Sequence, residues 1–135
     1  MLEIVREICA LQPRYSSSNT PAMRRRGQLI REDLKNAVHS YQELLSASLG
    51  EYGSDFGVEA KDGIGRKTEA PWVRFFSKRM SPNPRSGFYC VVHFSADGSA
   101  FWITVGCGST VWSGEDLRPI SAAELFKRTE WARGA

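Results

Sequence analysis

Trp72, Tyr89, His93 and Trp102 are spaced so that, on strands whose side chains alternate between two faces, all four reach one side of a sheet. In the run from 87, Phe88, Cys90, Val92 and Phe94 form a uniformly apolar set, which leaves Tyr89, Val91 and His93 on the other face. Phe101, Ile103 and Val105 match the apolar set and leave Trp102 and Thr104. Trp72, Arg74 and Phe76 join them if Val73 and Phe75 turn to the core. Planar rings beside cations are what base stacking and phosphate attraction require, stacking being worth about 1–3 kcal/mol per base. Such rings are an unusual thing to show to water. A helix laid over the same face would make Trp72 and Trp102 ordinary core residues, so both readings stand at this point. His93, read alone, is more often a satisfied sheet histidine than a ligand or base.

Charge sharpens the picture. The 135 residues carry a net charge of +3, too little by itself to argue for a polyanionic partner. Residues 61–85 hold seven basic side chains (Lys61, Arg66, Lys67, Arg74, Lys78, Arg79 and Arg85) against Asp62 and Glu69, a net of +5, while the rest of the chain stands at −2. Within this stretch Gly63-Ile64-Gly65 precedes Ala70-Pro71-Trp72, and the glycines let a loop backbone adopt angles closed to other residues.

Composition argues against several classes. An apolar fraction of 41% and a charged fraction of 24% are those of an ordinary globular domain, and one core suits this length. No apolar run approaches a membrane span, and MLEIVREICALQPRY lacks a signal peptide's unbroken apolar stretch, so a cytoplasmic location is expected. Cys9, Cys90 and Cys107 are odd in number and widely spaced, which speaks against a zinc site or a disulfide framework; neither metal nor cofactor is expected. A nucleophile would need Cys107 or Cys90 with His93, GCGS at 106–109 resembling a nucleophile on a turn, but Cys90 has the wrong parity to meet His93.

The expected architecture is α+β, a mainly antiparallel twisted sheet of four to five strands with a long N-terminal helix and a C-terminal helix packed on it. Apolar periodicity predicts a short helix at 2–10, an irregular or mobile linker QPRYSSSNTP, and one long helix at about 22–48 that Gly27 weakens or kinks. Arg24, Arg25, Arg31, Glu32, Lys35 and Glu43 read most simply as its solvated face, with a phosphate-binding role as the alternative. Strands are expected at 56–61, 71–77, 87–95 and 100–106, the last two joined by an Asp97-Gly98 turn. Ser121 and Glu124 have capping-box spacing for a final helix packing through Ala123, Phe126 and Trp131.

Taken in order, Gly63-Ile64-Gly65, Ala70-Pro71-Trp72, Gly87-Phe88-Tyr89 with Val91 and Val92, Asp97-Gly98 and a last strand ending in Gly106 resemble the MrcB-like N-terminal domain family of McrB-type modification-dependent restriction systems. The resemblance covers about 56–108. It implies a non-catalytic module that binds double-stranded DNA and reads modified cytosine, 5-methylcytosine or a relative, by turning the base into a pocket. Motor or nuclease domains of the parent chain or complex would do the rest, and residues 1–135 would be one module of a larger restriction protein. Carried over, Trp72, Tyr89, His93 and Val91 border the base, Gly63, Ile64 and Gly65 form the loop entering the duplex, and Arg66, Lys67, Arg74, Lys78, Arg79 and Arg85 meet phosphates. The alternatives are a reader of another modified or single-stranded nucleic acid, and a protein-interaction domain.

Overall fold

A computed structural model describes residues 1–135, the side chains of residues 49 and 52 excepted. Helix α1 (Leu2–Leu11) runs into a 3-10 turn at Gln12–Arg14. Helix α2 (Pro21–Gln28) starts with Thr20 Oγ1 accepting from Met23 N and Pro21 in its first turn, where a missing N–H costs nothing. A π-helical segment (Leu29–Leu34), α3 (Lys35–His39) and α4 (Gln42–Leu49) follow. The single helix expected over 22–48 is therefore interrupted twice. Its second break is local chemistry: Ser40 Oγ donates to Ala37 O at 2.7 Å, and Tyr41 leaves helical geometry at φ −85°, ψ 4°.

Strands β1 (Phe56–Lys61), β2 (Trp72–Ser77), β3 (Phe88–Phe94) and β4 (Phe101–Cys107) form one antiparallel sheet in chain order, close to the expected ranges. Gly98, at φ 71°, closes the turn between β3 and β4. A separate hairpin of β5 (Thr110–Ser113) and β6 (Asp116–Pro119) was not foreseen. Helix α5 (Ala122–Gly134) is capped by Ser121 Oγ, which accepts from Glu124 N.

One sheet face carries the core. Val73, Val92 and Phe94 pack against Val5, Ile8, Met23, Leu29, Ile30, Leu34 and Val38 from the helices. Fully burying such a side chain contributes roughly 1.5–3 kcal/mol. The helices stop short of β4. Ile103 and Val105 share the core-side parity yet remain 61% and 65% exposed, and with Phe101 they are not core residues as expected. An apolar groove of about 330 Å³ runs beside Phe101 and Ile103, lined also by Leu2, Val38, Tyr41 and Leu45. Helix α5 rests on the end of the sheet by stacking Trp131 on Phe88, ring centroids 4.7 Å apart, and by Arg128 Nη1 donating to Gly108 O at 2.8 Å. Ala123 and Phe126 face solvent, so they are not its packing face. Among the described residues no helix is long and apolar enough to cross a membrane.

Candidate nucleic-acid interface

Register decides which rings meet. Trp72 pairs with His93 and His93 with Trp102, Arg74 pairs with Val91, and Tyr89 lies opposite Gly106, all on the face away from the core helices. Among the described residues no helix residue lines this face's cavity, and Trp102 and His93 are exposed on it, which removes the covered-core reading. A cavity of about 210 Å³ is bounded by Trp72, Arg74, Tyr89, Val91 and His93 from the sheet, Pro84 and Arg85 from the β2–β3 loop, and Ser109 and Thr110 after β4. The four residues expected to border a base thus line one cavity. Trp102 shares the face but lies outside the lining and is exposed.

Two glycines make the space. A methyl at Gly106 would come 2.9 Å from Tyr89 Cε2, so the bare strand admits the tyrosine ring. A methyl at Gly108 would collide with Arg85 O, so the β2–β3 loop crosses close against main chain there. The Gly-Cys-Gly run is therefore a packing device. Cys90 and Cys107 lie on the face opposite His93, and burial raises the Cys90 thiol pKa away from thiolate chemistry. Neither cysteine is therefore placed on the His93 side of the sheet.

Tyr89 is held firmly. Its hydroxyl donates to Pro84 O at 3.1 Å, with Cys107 O at 3.4 Å, and burial raises its pKa. Burial also lowers the His93 pKa, which favours a neutral imidazole able to donate from one nitrogen and accept at the other.

Arg74 corrects its expected role. It is buried rather than offered to phosphate, with Nε and Nη2 on Glu59 Oε2 at 2.8 and 2.7 Å and Nη1 on Ser81 Oγ at 3.0 Å. Its guanidinium lies 3.8 Å from the Phe76 ring centroid and 5.3 Å from that of Tyr89, making it a fixed positive element of the cavity wall. Ser81 carries the same order into the loop, its Oγ donating to Ser86 O at 2.7 Å. Asp55 anchors the loop's start by accepting from Ser77 Oγ at 2.5 Å and Arg79 N at 2.7 Å, contacts that lower its pKa. Lys78, Arg79 and Arg85 are exposed along this loop.

The Gly63-Ile64-Gly65 loop leaves the Trp72 end of the sheet, since Lys61 pairs with Trp72. Gly63 and Gly65 have φ of 102° and 75°, and Ile64 between them is 89% exposed. Behind it lies a buried polar network that the sequence reading missed. Asp62 and Arg26 are both fully buried; Arg26 Nε and Nη2 donate to Asp62 Oδ1 at 3.2 and 2.9 Å, Nη1 to Gln12 Oε1 at 2.8 Å, and Nη2 to Thr68 O at 2.5 Å. Asp62 Oδ2 receives Lys67 Nζ at 2.7 Å and Arg31 Nη1 at 3.1 Å. Lys67, expected at a phosphate, is thus spent largely inside, its side chain 11% exposed; Arg66 stays in solvent.

The linker is tied to the same loop. Gln12 is buried and its Nε2 donates to Glu69 O and Ser95 O, Ser17 O accepts from Lys67 N, and Tyr15 OH donates to Lys67 O. Gly27 makes room here: a methyl would fall 2.5 Å from Arg31 Nη1 and 2.6 Å from Asp62 Oδ2. Signals existed in the acidic residue at the root of a glycine loop and in the glycine one turn before Arg31. Among the described residues no cluster of three or more His, Cys, Asp or Glu is placed to hold a metal ion.

A family model described as the MrcB-like, N-terminal domain matches residues 10–134. The chain belongs to the MrcB-like N-terminal domain family. No curated protein and no solved structure matches it. Membership of the MrcB-like family supports a DNA-binding role of the McrB restriction type, and the matched stretch spans both the glycine loop and every residue of the cavity.

Proposed function

We propose that this MrcB-like domain binds duplex DNA containing modified cytosine by taking the flipped base into the Trp72–Tyr89 cavity, as the targeting module of a modification-dependent restriction system. Motor and nuclease activities belong to other domains or partners. The observation carrying this reading is one cavity, about 210 Å³, that joins the Trp72 ring and the hydrogen-bonded Tyr89 ring to a row of polar groups. It lies below the roughly 300–1,000 Å³ of drug-sized pockets, a scale suited to one ring system. Trp72 and Tyr89 border the ring, while His93, Ser109 and Thr110 offer donors and acceptors to its edge.

Extrusion costs a few kcal/mol of stacking and pairing, and part of this is recovered by filling the gap in the duplex. Ile64, apolar and projecting from a loop held at both ends, is suited to that place. Arg66, Lys78, Arg79 and Arg85 supply sequence-independent phosphate contacts. A methyl group alone discriminates by about 1–3 kcal/mol, so specificity depends on a close-fitting slot.

Fluorescence anisotropy with methylated, hydroxymethylated, adenine-methylated and unmodified duplexes tests the proposal. Trp72→Ala and Tyr89→Ala are expected to abolish the preference for modified cytosine while weak general binding persists. Equal wild-type affinity for all four duplexes removes the modified-base reading, and a folded Tyr89→Ala protein that keeps the preference removes the pocket.

A further inference from the structure

We propose that the ion cluster around Asp62 is an anchor for one DNA backbone phosphate, with Arg31 as its outward-facing donor. This rests on the DNA-binding role and not on the flipped base. Three cations, Arg26, Arg31 and Lys67, converge on one carboxylate, which leaves two positive charges in excess at the root of the Gly63–Gly65 loop. A concentration of unbalanced charge at a partly buried place favours an anion from solution.

The three cations differ in what they have left to give. Arg26 is fully buried, and Lys67 is nearly so. Arg31 is 43% exposed, and among the described residues its single hydrogen bond is Nη1 to Asp62 Oδ2. A guanidinium has five N–H donors in a planar fork suited to phosphate oxygens, so most of this group is unspent. Its position is set by the carboxylate, and the missing side chain of Gly27 leaves room for that contact. That favours, for Arg31, the phosphate-binding alternative over the solvated helix arginine that its face most simply suggests.

The location has mechanical sense. Ile64 begins two residues after Asp62, so a phosphate held by Arg31 fixes the strand against the loop that carries the wedge. Arg66, exposed on the same loop, adds to the same field.

The test uses the whole chain and an unmodified duplex, with affinity measured from about 50 to 200 mM salt. Losing one phosphate contact reduces the slope of log K against log salt by about 0.9, so the advantage of wild type over Arg31→Gln should shrink about three- to fourfold across that range. A modified duplex should weaken by the same factor, leaving the modified-to-unmodified ratio unchanged. Arg6→Gln, which removes the same charge from an exposed pair with Glu3 on α1, should keep the wild-type slope. Arg31→Lys, which keeps the charge, should keep most of it.

A wild-type slope in Arg31→Gln, or an equal loss in Arg6→Gln, overturns the anchor. A lost slope in Arg31→Lys also counts against phosphate pairing, in favour of a purely structural arginine. Failure of the base pocket would show instead in the ratio between duplexes, which none of these variants is expected to move.

Discussion

Replacing Arg26 by Met asks whether the buried network holds the Gly63–Gly65 loop. The substitution keeps a long apolar stem and removes four hydrogen bonds, two to Asp62 Oδ1 and one each to Gln12 Oε1 and Thr68 O. Breaking a buried ion pair by deleting one partner costs about 3–5 kcal/mol, chiefly because a charge is stranded. Asp62 keeps Arg31 and Lys67, which reduces that penalty. Gln12 Oε1 loses its partner in a buried place, which adds about 1–3 kcal/mol, and Thr68 O, half-buried, adds less. The two corrections oppose each other, and a loss of about 4 kcal/mol is expected, a large part of a domain's usual 5–15 kcal/mol. Urea unfolding followed by tryptophan fluorescence measures it, with Arg25→Met beside it as a neighbour whose ion pair to Glu7 is exposed. Arg25→Met should change stability little. If Arg26→Met costs no more than Arg25→Met, the network is not what secures residues 62–68, and the rigidity ascribed to the loop is wrong.

Other expectations concern the loop and the turn. Gly63→Ala should destabilise far more than Gly65→Ala, because a methyl at 63 collides with Arg66 O whereas nothing lies within 4 Å at 65; the latter carries only the left-handed strain of about 1–2 kcal/mol. Equal urea midpoints for the two would contradict the loop geometry. Ile64→Ala, at a site this exposed, should leave stability within about 0.5 kcal/mol and weaken binding to the modified duplex; unaltered anisotropy titrations would exclude a wedge. Asp97 should titrate at about 2, held down by the Ser99 N–H and then by the Ser95 and Ser99 hydroxyls. Its folded pKa lies below the ordinary carboxylate value, so its contribution to stability is complete above that value and disappears as pH falls through about 2. Carboxyl-carbon NMR reads the midpoint directly, and an ordinary value would show the turn hydrogen bonds to be absent.

The strands and their faces were legible because period-two alternation is a local signal that register then preserves. Tyr89, Val91 and His93 had to share a face once Phe88, Cys90 and Val92 turned to the helices. The rest depended on distant partners. Ser109 and Thr110 follow the strand, and Pro84 lies in a loop, so no periodicity places them at the cavity. Strands β5 and β6 are four residues each, mostly exposed, and carry no buried face to reveal them. Asp62 entered the reading only as one of two negative charges in a basic stretch, and Arg26 drew no notice, because nothing near either in the chain shows burial; the two are 36 residues apart in sequence and adjacent in space. The helix interruptions were equally hidden, since Ile30, Leu34 and Val38 keep their spacing and all remain in the core.

The contact of Gly108 with the Arg85 main chain bears on how this opening can change. Side chains at a rim can rotate out of the way, but two crossing stretches of backbone have no such freedom. Widening the gap means shifting a strand end and an anchored loop together. The width of this opening is consequently built into the scaffold, and if the cavity takes a base as proposed, altered taste for larger or smaller guests should come from the lining residues at 109 and 110, which can be exchanged without rebuilding the frame.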